Sequence, residues 1–119
     1  MTRNVDIQDR AYRFALGNID PIQCLPKRTE GFVLGKQLLE AATSIAANIE
    51  EAQGGFSKND FIFKMNTAFK EARETNLWLR LIRDAKLIDP ARIEDLLRES
   101  VEIRNILGTI VKHSRKPNS

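Results

Sequence analysis

The stretch from Thr43 to Arg83, TSIAANIEEAQGGFSKNDFIFKMNTAFKEARETNLWLRLIR, constrains the fold most tightly. Two long helical patterns flank a Gly54-Gly55 break. Consecutive glycines carry a high conformational entropy cost inside a helix and are favoured just past its end, so Gly54 is expected at a left-handed C′ position. Ser57 and Asp60 then form an S-x-x-D restart that reads as a capping box, with Phe56 and Phe61 placed to staple it. Two long helices joined by so short a turn must lie antiparallel and bury their apolar stripes against one another.

The rest of the chain continues that theme. Ala11, Phe14, Ala15, Ile19, Ile22 and Leu25 recur at three- and four-residue spacing and predict a first helix over about 7–24. Asp20-Pro21 should kink or break it near Asn18, because proline removes a backbone donor and crowds the preceding turn. Leu25-Pro26 closes the segment. A second helix is expected over about 29–53, with Thr29 as N-cap, Glu30 in the first turn and an alanine-rich stripe of Val33, Leu38, Ala41, Ala42, Ile45, Ile49 and Ala52. The third, about 58–87, carries Phe61, Met65, Ala68, Phe69, Ala72, Leu79, Ile82 and Ala85. Asp89-Pro90 opens a fourth over about 90–113, aspartate as cap and proline at the first position. Period-two alternation, hairpin signals and internal repeats do not occur. The expected fold is all-α, an up-down-up-down four-helix bundle. It forms one domain over residues 1–119, with a flexible tail at 114–119.

A chain of 119 residues is long enough to bury a core without disulfides or metal. The single cysteine, Cys24, leaves no disulfide framework. With no secretory h-region and no apolar run of membrane-spanning length, the expected location is cytoplasmic. Enzyme chemistry finds few residues. The only histidine is His113, beside the tail, which disfavours Ser-His-Asp and Cys-His arrangements. One Cys and one His, far apart, do not make a zinc site, and no Glu-x-x-His motif supports a di-iron centre. The reading is non-enzymatic, with no cofactor and no metal.

The formal net charge of +3 is mild, but its distribution is uneven. Residues 29–56 carry one basic and four acidic groups; residues 57–88 carry seven and four. Arg73, Arg80 and Arg83 lie along one side of the third helix, with Lys70 and Lys86 nearby and Arg115 and Lys116 in the tail. One reading is a solvated face with pairs such as Lys70–Glu74 or Arg80–Asp84. The other is a surface that attracts the phosphates of RNA or DNA. Ser44, Asn48 and Glu51 share a face of the second helix, and Glu71 and Glu74 a face of the third. Mid-helix asparagine costs propensity, so this set is read as a structural polar network linking Asn48 and Ser44 to a third-helix carboxylate, with a ligand pocket as the alternative. The apolar faces of the last two helices are wider than a monomeric bundle needs. Leu77, Trp78 and Leu81, with Ile103, Ile106 and Ile110, are therefore expected at an oligomer interface, or else deeply buried in one subunit.

The runs GKQLL at 35–39, SIAANIEEAQG at 44–54, KEARET at 70–75 and WLRL at 78–81, with Ser57, Asp60-Phe61-Ile62 and Lys64-Met65, resemble the four-helix-bundle proteins encoded by intervening sequences in bacterial 23S ribosomal RNA genes. The resemblance spans roughly residues 8–113, and Pro21 departs from its pattern. It implies a small helical bundle assembling as a ring-shaped homopentamer without enzymatic activity. Related proteins include the accessory protein of diversity-generating retroelements, a basic pentamer that binds nucleic acid and a reverse transcriptase. By resemblance, expected partners are therefore further copies of the chain, RNA or DNA, and a reverse transcriptase or other protein. A protein-interaction scaffold with no nucleic-acid role is the alternative.

Overall fold

The structure is a computed structural model describing the backbone of residues 3–115 and the side chains of residues 7–115. Four α-helices and one 3-10 turn, with no strand, make up the regular structure of the described residues. Helix α1 spans Arg3–Gln23, α2 Thr29–Gln53, α3 Lys58–Asp84 and α4 Glu94–Ser114. The turn, Pro90–Arg92, precedes α4. α1 packs on α2, α2 on α3, α3 on α4, and α4 closes back onto α1. Cross-helix contacts run in opposite chain directions: Gly35 faces Ile22 and Leu25, Glu51 meets Lys64, and Asn76 meets Ser100. The bundle is therefore up-down-up-down, a rod of 52 × 23 × 21 Å.

The predicted stripes form its core. Ile45 and Ile49 of α2, Met65, Leu79 and Ile82 of α3, and Ile103 and Leu107 of α4 are fully buried. Each such side chain contributes roughly 1.5–3 kcal/mol over leaving it in water. Alanines 41, 42, 46 and 52 of α2 and 68 and 72 of α3 are buried too, bringing α2 close to its neighbours. Gly31 shows where closeness becomes an absolute requirement: a Cβ there would overlap the backbone carbonyl of Pro26, where the α1–α2 connection crosses the first turn of α2.

Several helix ends depart from expectation. α1 continues through Pro21 with no break near Asn18. Pro21 stands in the last turn, where its missing donor removes one bond and little helix remains to deflect. The chain then tightens, Cys24 N donating to Pro21 O at 3.0 Å and Leu25 N to Ile22 O at 3.2 Å. Arg28, not Thr29, caps α2, and makes no side-chain cap bond. Gly54 does not turn left-handed: its φ is −95°, and it closes α2 by donating to Glu50 O. A Cβ at Gly55 would displace the Asp60 carboxylate, a side-chain end that can swing aside.

Ser57 does cap α3, its Oγ accepting from Asp60 N at 3.0 Å. Phe56 is fully exposed, so the expected staple with Phe61 does not form. α3 ends at Asp84, three residues early. Lys86 adopts φ 58°, and Leu87 N reaches back to Ile82 O while Lys86 N reaches Arg83 O. This is a Schellman closure with lysine where glycine is favoured. Asp89 caps only the 3-10 turn, accepting from Ala91 N at 3.1 Å. Ile93, buried in the core at φ −122°, then re-aims the chain, and α4 starts at Glu94 and not at Pro90. At its far end α4 includes Ser114, whose hydroxyl donates to Ile110 O, so the expected flexible tail begins one residue too early. Residues 116–119 lie outside the described residues.

Candidate nucleic-acid interface

The seam between α3 and α4 is built on small and polar residues. Gly108 of α4 leaves room for the ring of Phe69: a Cβ would stand 3.2 Å from Phe69 Cε1. The Arg73 guanidinium lies 5.9 Å from the centroid of the same ring, a cation–π distance. One helical turn further, Asn76 and Ser100 are buried together. Ser100 Oγ–H donates to Leu97 O at 2.7 Å, Asn76 Nδ2 donates to Ser100 Oγ at 2.9 Å, and Arg80 Nε donates to Asn76 Oδ1 at 2.8 Å. This relay fixes one edge of the Arg80 guanidinium and leaves its two terminal nitrogens for solvent or a ligand.

Above this seam the cations gather. Lys70, Arg73 and Arg80 of α3 and Arg104 of α4 line one cleft, with Glu74, Asn76 and Leu77. Arg73 and Arg104 also line the adjoining cleft, with Phe69, Gly108, Thr109 and Lys112. Among the described residues none of Lys70, Arg73, Arg80, Arg104 and Lys112 forms an ion pair, whereas the cations of neighbouring faces do. The expected Lys70–Glu74 and Arg80–Asp84 pairs are absent from those contacts. Asp84 is taken by Arg83, with Arg83 Nε donating to Asp84 Oδ1 at 2.8 Å. That pairing holds the Asp84 carboxyl below, and the Arg83 guanidinium above, their ordinary ranges.

The predicted basic stripe is thus divided. Lys70, Arg73 and Arg80 come together. Arg83 stands apart, in a separate cleft with Pro90, Glu94, Leu97 and Arg98. Lys86 lies beyond the helix in the Schellman turn, and Arg115 is the exposed C-cap of α4. Lys116 lies outside the described residues. Arg104 and Lys112, which complete the groove, were concealed by a segment charge of nearly zero over residues 89–113. The acids of that segment lie at 89–102 and the two groove cations at 104 and 112.

The α2–α3 seam differs from the expected network. Asn48 does not reach a carboxylate of α3. Its Nδ2 donates within α2, to Ser44 O at 2.8 Å and Ser44 Oγ at 3.1 Å. Only Glu51 crosses, accepting from Lys64 Nζ at 2.7 Å and raising that lysine's pKa. The Glu71 carboxyl is shifted up, first by burial and then by the neighbouring charges of Glu74 and Glu40. This seam is acidic where the other is basic.

Of the residues expected at an oligomer interface, Ile103 is completely buried inside the subunit and offers no surface to a second copy. Ile106, Ile110 and Trp78 are half-buried against the core, and Leu77 and Leu81 are exposed. Further large apolar side chains are exposed on α1 and α2: Tyr12, Leu16, Phe32 and Leu39, and also Ile19 and Val33, which were expected in the buried stripes but face away from the neighbouring helices. Among the described residues no three His, Cys, Asp or Glu side chains stand together as a metal ion requires. No described helix is long and apolar enough to cross a membrane.

The comparisons with known proteins agree with this architecture. No match was found among curated proteins. A crystal structure of a protein with unknown function from the S23 ribosomal protein family of Bacteroides thetaiotaomicron superposes with a TM-score of 0.84 at 36% sequence identity, covering 93% of this chain and 99% of that one. The sequence profile of the 23S rRNA-intervening sequence protein family matches residues 3–109. On that match and the shared four-helix fold, the chain belongs to the 23S rRNA-intervening sequence protein family.

Proposed function

We propose that this protein is a non-catalytic, homo-oligomeric bundle that binds structured nucleic acid through the α3–α4 groove. One observation carries the reading: four cations from two helices converge on a single cleft with one carboxylate among them, and none is ion-paired among the described residues. Keeping like charges together unpaired costs electrostatic energy, which an incoming polyanion relieves. A groove that offers arginine and lysine side chains positions phosphates without reading base sequence. The test is a mobility-shift titration with ribosomal RNA fragments. Binding at low salt should weaken steeply as salt rises, and charge reversal at Arg73 or Arg104 should weaken it about tenfold or more. No binding at low salt removes the proposal.

Assembly is supported by a separate observation. Large apolar side chains stand exposed on α1, α2 and α3, a distribution that favours burial against further copies. A homopentamer is the expected form. Light scattering that returns a mass near the 13.6 kDa of one chain overturns this part alone.

A further inference from the structure

The cationic groove is narrow, and what flanks it selects among nucleic acids. Antiparallel packing sets Phe69 against Gly108 and Asn76 against Ser100. Lys112 is therefore level with the first turns of α3, and Arg80 lies about fifteen residues further along it. At 1.5 Å per residue the track from Arg80 to Lys112 is roughly 20 Å long. Its width is that of one inter-helix seam, about 8–10 Å.

Both sides of the track are acidic or neutralised. Across the outer face of α3 stand Glu71 and Glu40, with Lys36 taken up by Glu40 and Lys64 by Glu51. Burial raises the Glu71 pKa first, and the charges of Glu74 and Glu40 add to it against the opposing charge of Lys70. Across the outer face of α4 stand Glu102 and Glu99, with Arg10 held by Glu99 at 2.7 Å and Arg98 paired with Glu94 and Asp95. The two backbones of a B-form duplex are separated by grooves roughly 6–12 Å wide, about the width of one helix. A duplex with one strand in the seam would thus place its second strand over carboxylates on either side.

We infer that the α3–α4 groove takes a single phosphodiester strand, such as the unpaired loop of a folded RNA, and that the flanking carboxylates reject a duplex. The inference rests on the nucleic-acid reading above. Single-stranded segments are where structured RNAs offer accessible backbone and bases. The strand's phosphates meet Arg80, Arg73 with Arg104, Lys70 and Lys112 in turn, and Arg80 is held for the contact by buried Asn76 and Ser100.

The experiment is fluorescence anisotropy on the full chain at low salt, with a labelled oligouridylate and a B-form DNA duplex of equal length. The oligouridylate should bind about tenfold or more tighter. Its salt dependence should approach a log–log slope of about −3.5 if all five cations engage phosphates. A parallel oligothymidylate separates RNA from DNA as the source of the strand. The double variant Glu71→Gln, Glu102→Gln should raise duplex affinity and narrow the preference. Duplex binding as tight as single-strand binding, or an unchanged preference in the double variant, overturns the inference and leaves nucleic-acid binding intact. Failure of every probe to bind at low salt overturns both.

Discussion

Toward α4, helix α3 shares its buried polar groups across the seam: Asn76 bridges Ser100 and Arg80. Toward α2, the corresponding polar groups are satisfied at home, Asn48 and Ser44 bonding within their own helix. The first arrangement couples two helices and a surface guanidinium. The second leaves the exposed Glu51–Lys64 pair as the polar link between the two packed helices, and exposed geometry makes that pair worth little. Net charge follows the same division, with unpaired cations above the α3–α4 seam and crowded carboxylates beside α2. A mid-helix asparagine therefore has no fixed meaning; whether its amide crosses a helix interface decides how much depends on it.

Substitutions can break or sharpen this contrast. The largest effect is expected on binding. Arg104→Glu should weaken oligonucleotide binding about tenfold or more, while Arg83→Glu, remote from the groove, should change it less than about twofold; anisotropy titrations at fixed salt compare the two. Equal losses would mean that the groove is not the binding surface.

Next is stability. Asn76→Ala removes the amide that donates to Ser100 Oγ and accepts from Arg80 Nε, and should cost about 1–3 kcal/mol in urea denaturation. Asn48→Ala loses only intrahelical bonds and gains helix propensity, so it should stay within about 0.5 kcal/mol of the parent. A comparable loss in both variants would erase the distinction between the seams.

Lys86→Gly should stabilise by about 0.5–1 kcal/mol, because glycine adopts φ 58° without a Cβ penalty. The same variant should leave nucleic-acid affinity unchanged, since Lys86 stands off the groove.

The smallest effect is gated by pH. Glu71 has its pKa raised in the folded state, so its contribution to stability is complete below the unfolded carboxyl pKa, about 4.3, and is lost as pH rises through the folded value. Glu71→Gln should therefore melt higher than the parent at neutral pH and match it below about pH 4. A constant offset across that range would show that ionisation of Glu71 is not the cause.

Much of this was readable before any coordinates. Ser57 announced the start of α3 because a cap is a local event: one hydroxyl, one amide three residues on. The stripes of α2 and α3 announced burial because a 3.6-residue period leaves little choice of face. The misread features had local signals that longer-range packing overrode. Asp89-Pro90 makes the expected capped turn, yet burial of Ile93 redirects the chain before α4. Lys86 gives no warning of a left-handed residue. Lys70, Arg73 and Arg80 could be grouped from one helix, but Arg104 and Lys112 belong to the same groove only because α4 lies alongside.

The sequence by itself determined four amphipathic helices, their antiparallel order and the family, since periodicity, caps and a contiguous motif are properties of the chain read along its length. Tertiary structure alone decided that the cations of α3 and α4 form one track between two acidic flanks, and that Asn76 crosses where Asn48 does not. The physical reason is that a side chain's partners across a seam depend on the rotation and register of two packed helices, and neither is written in the spacing of one.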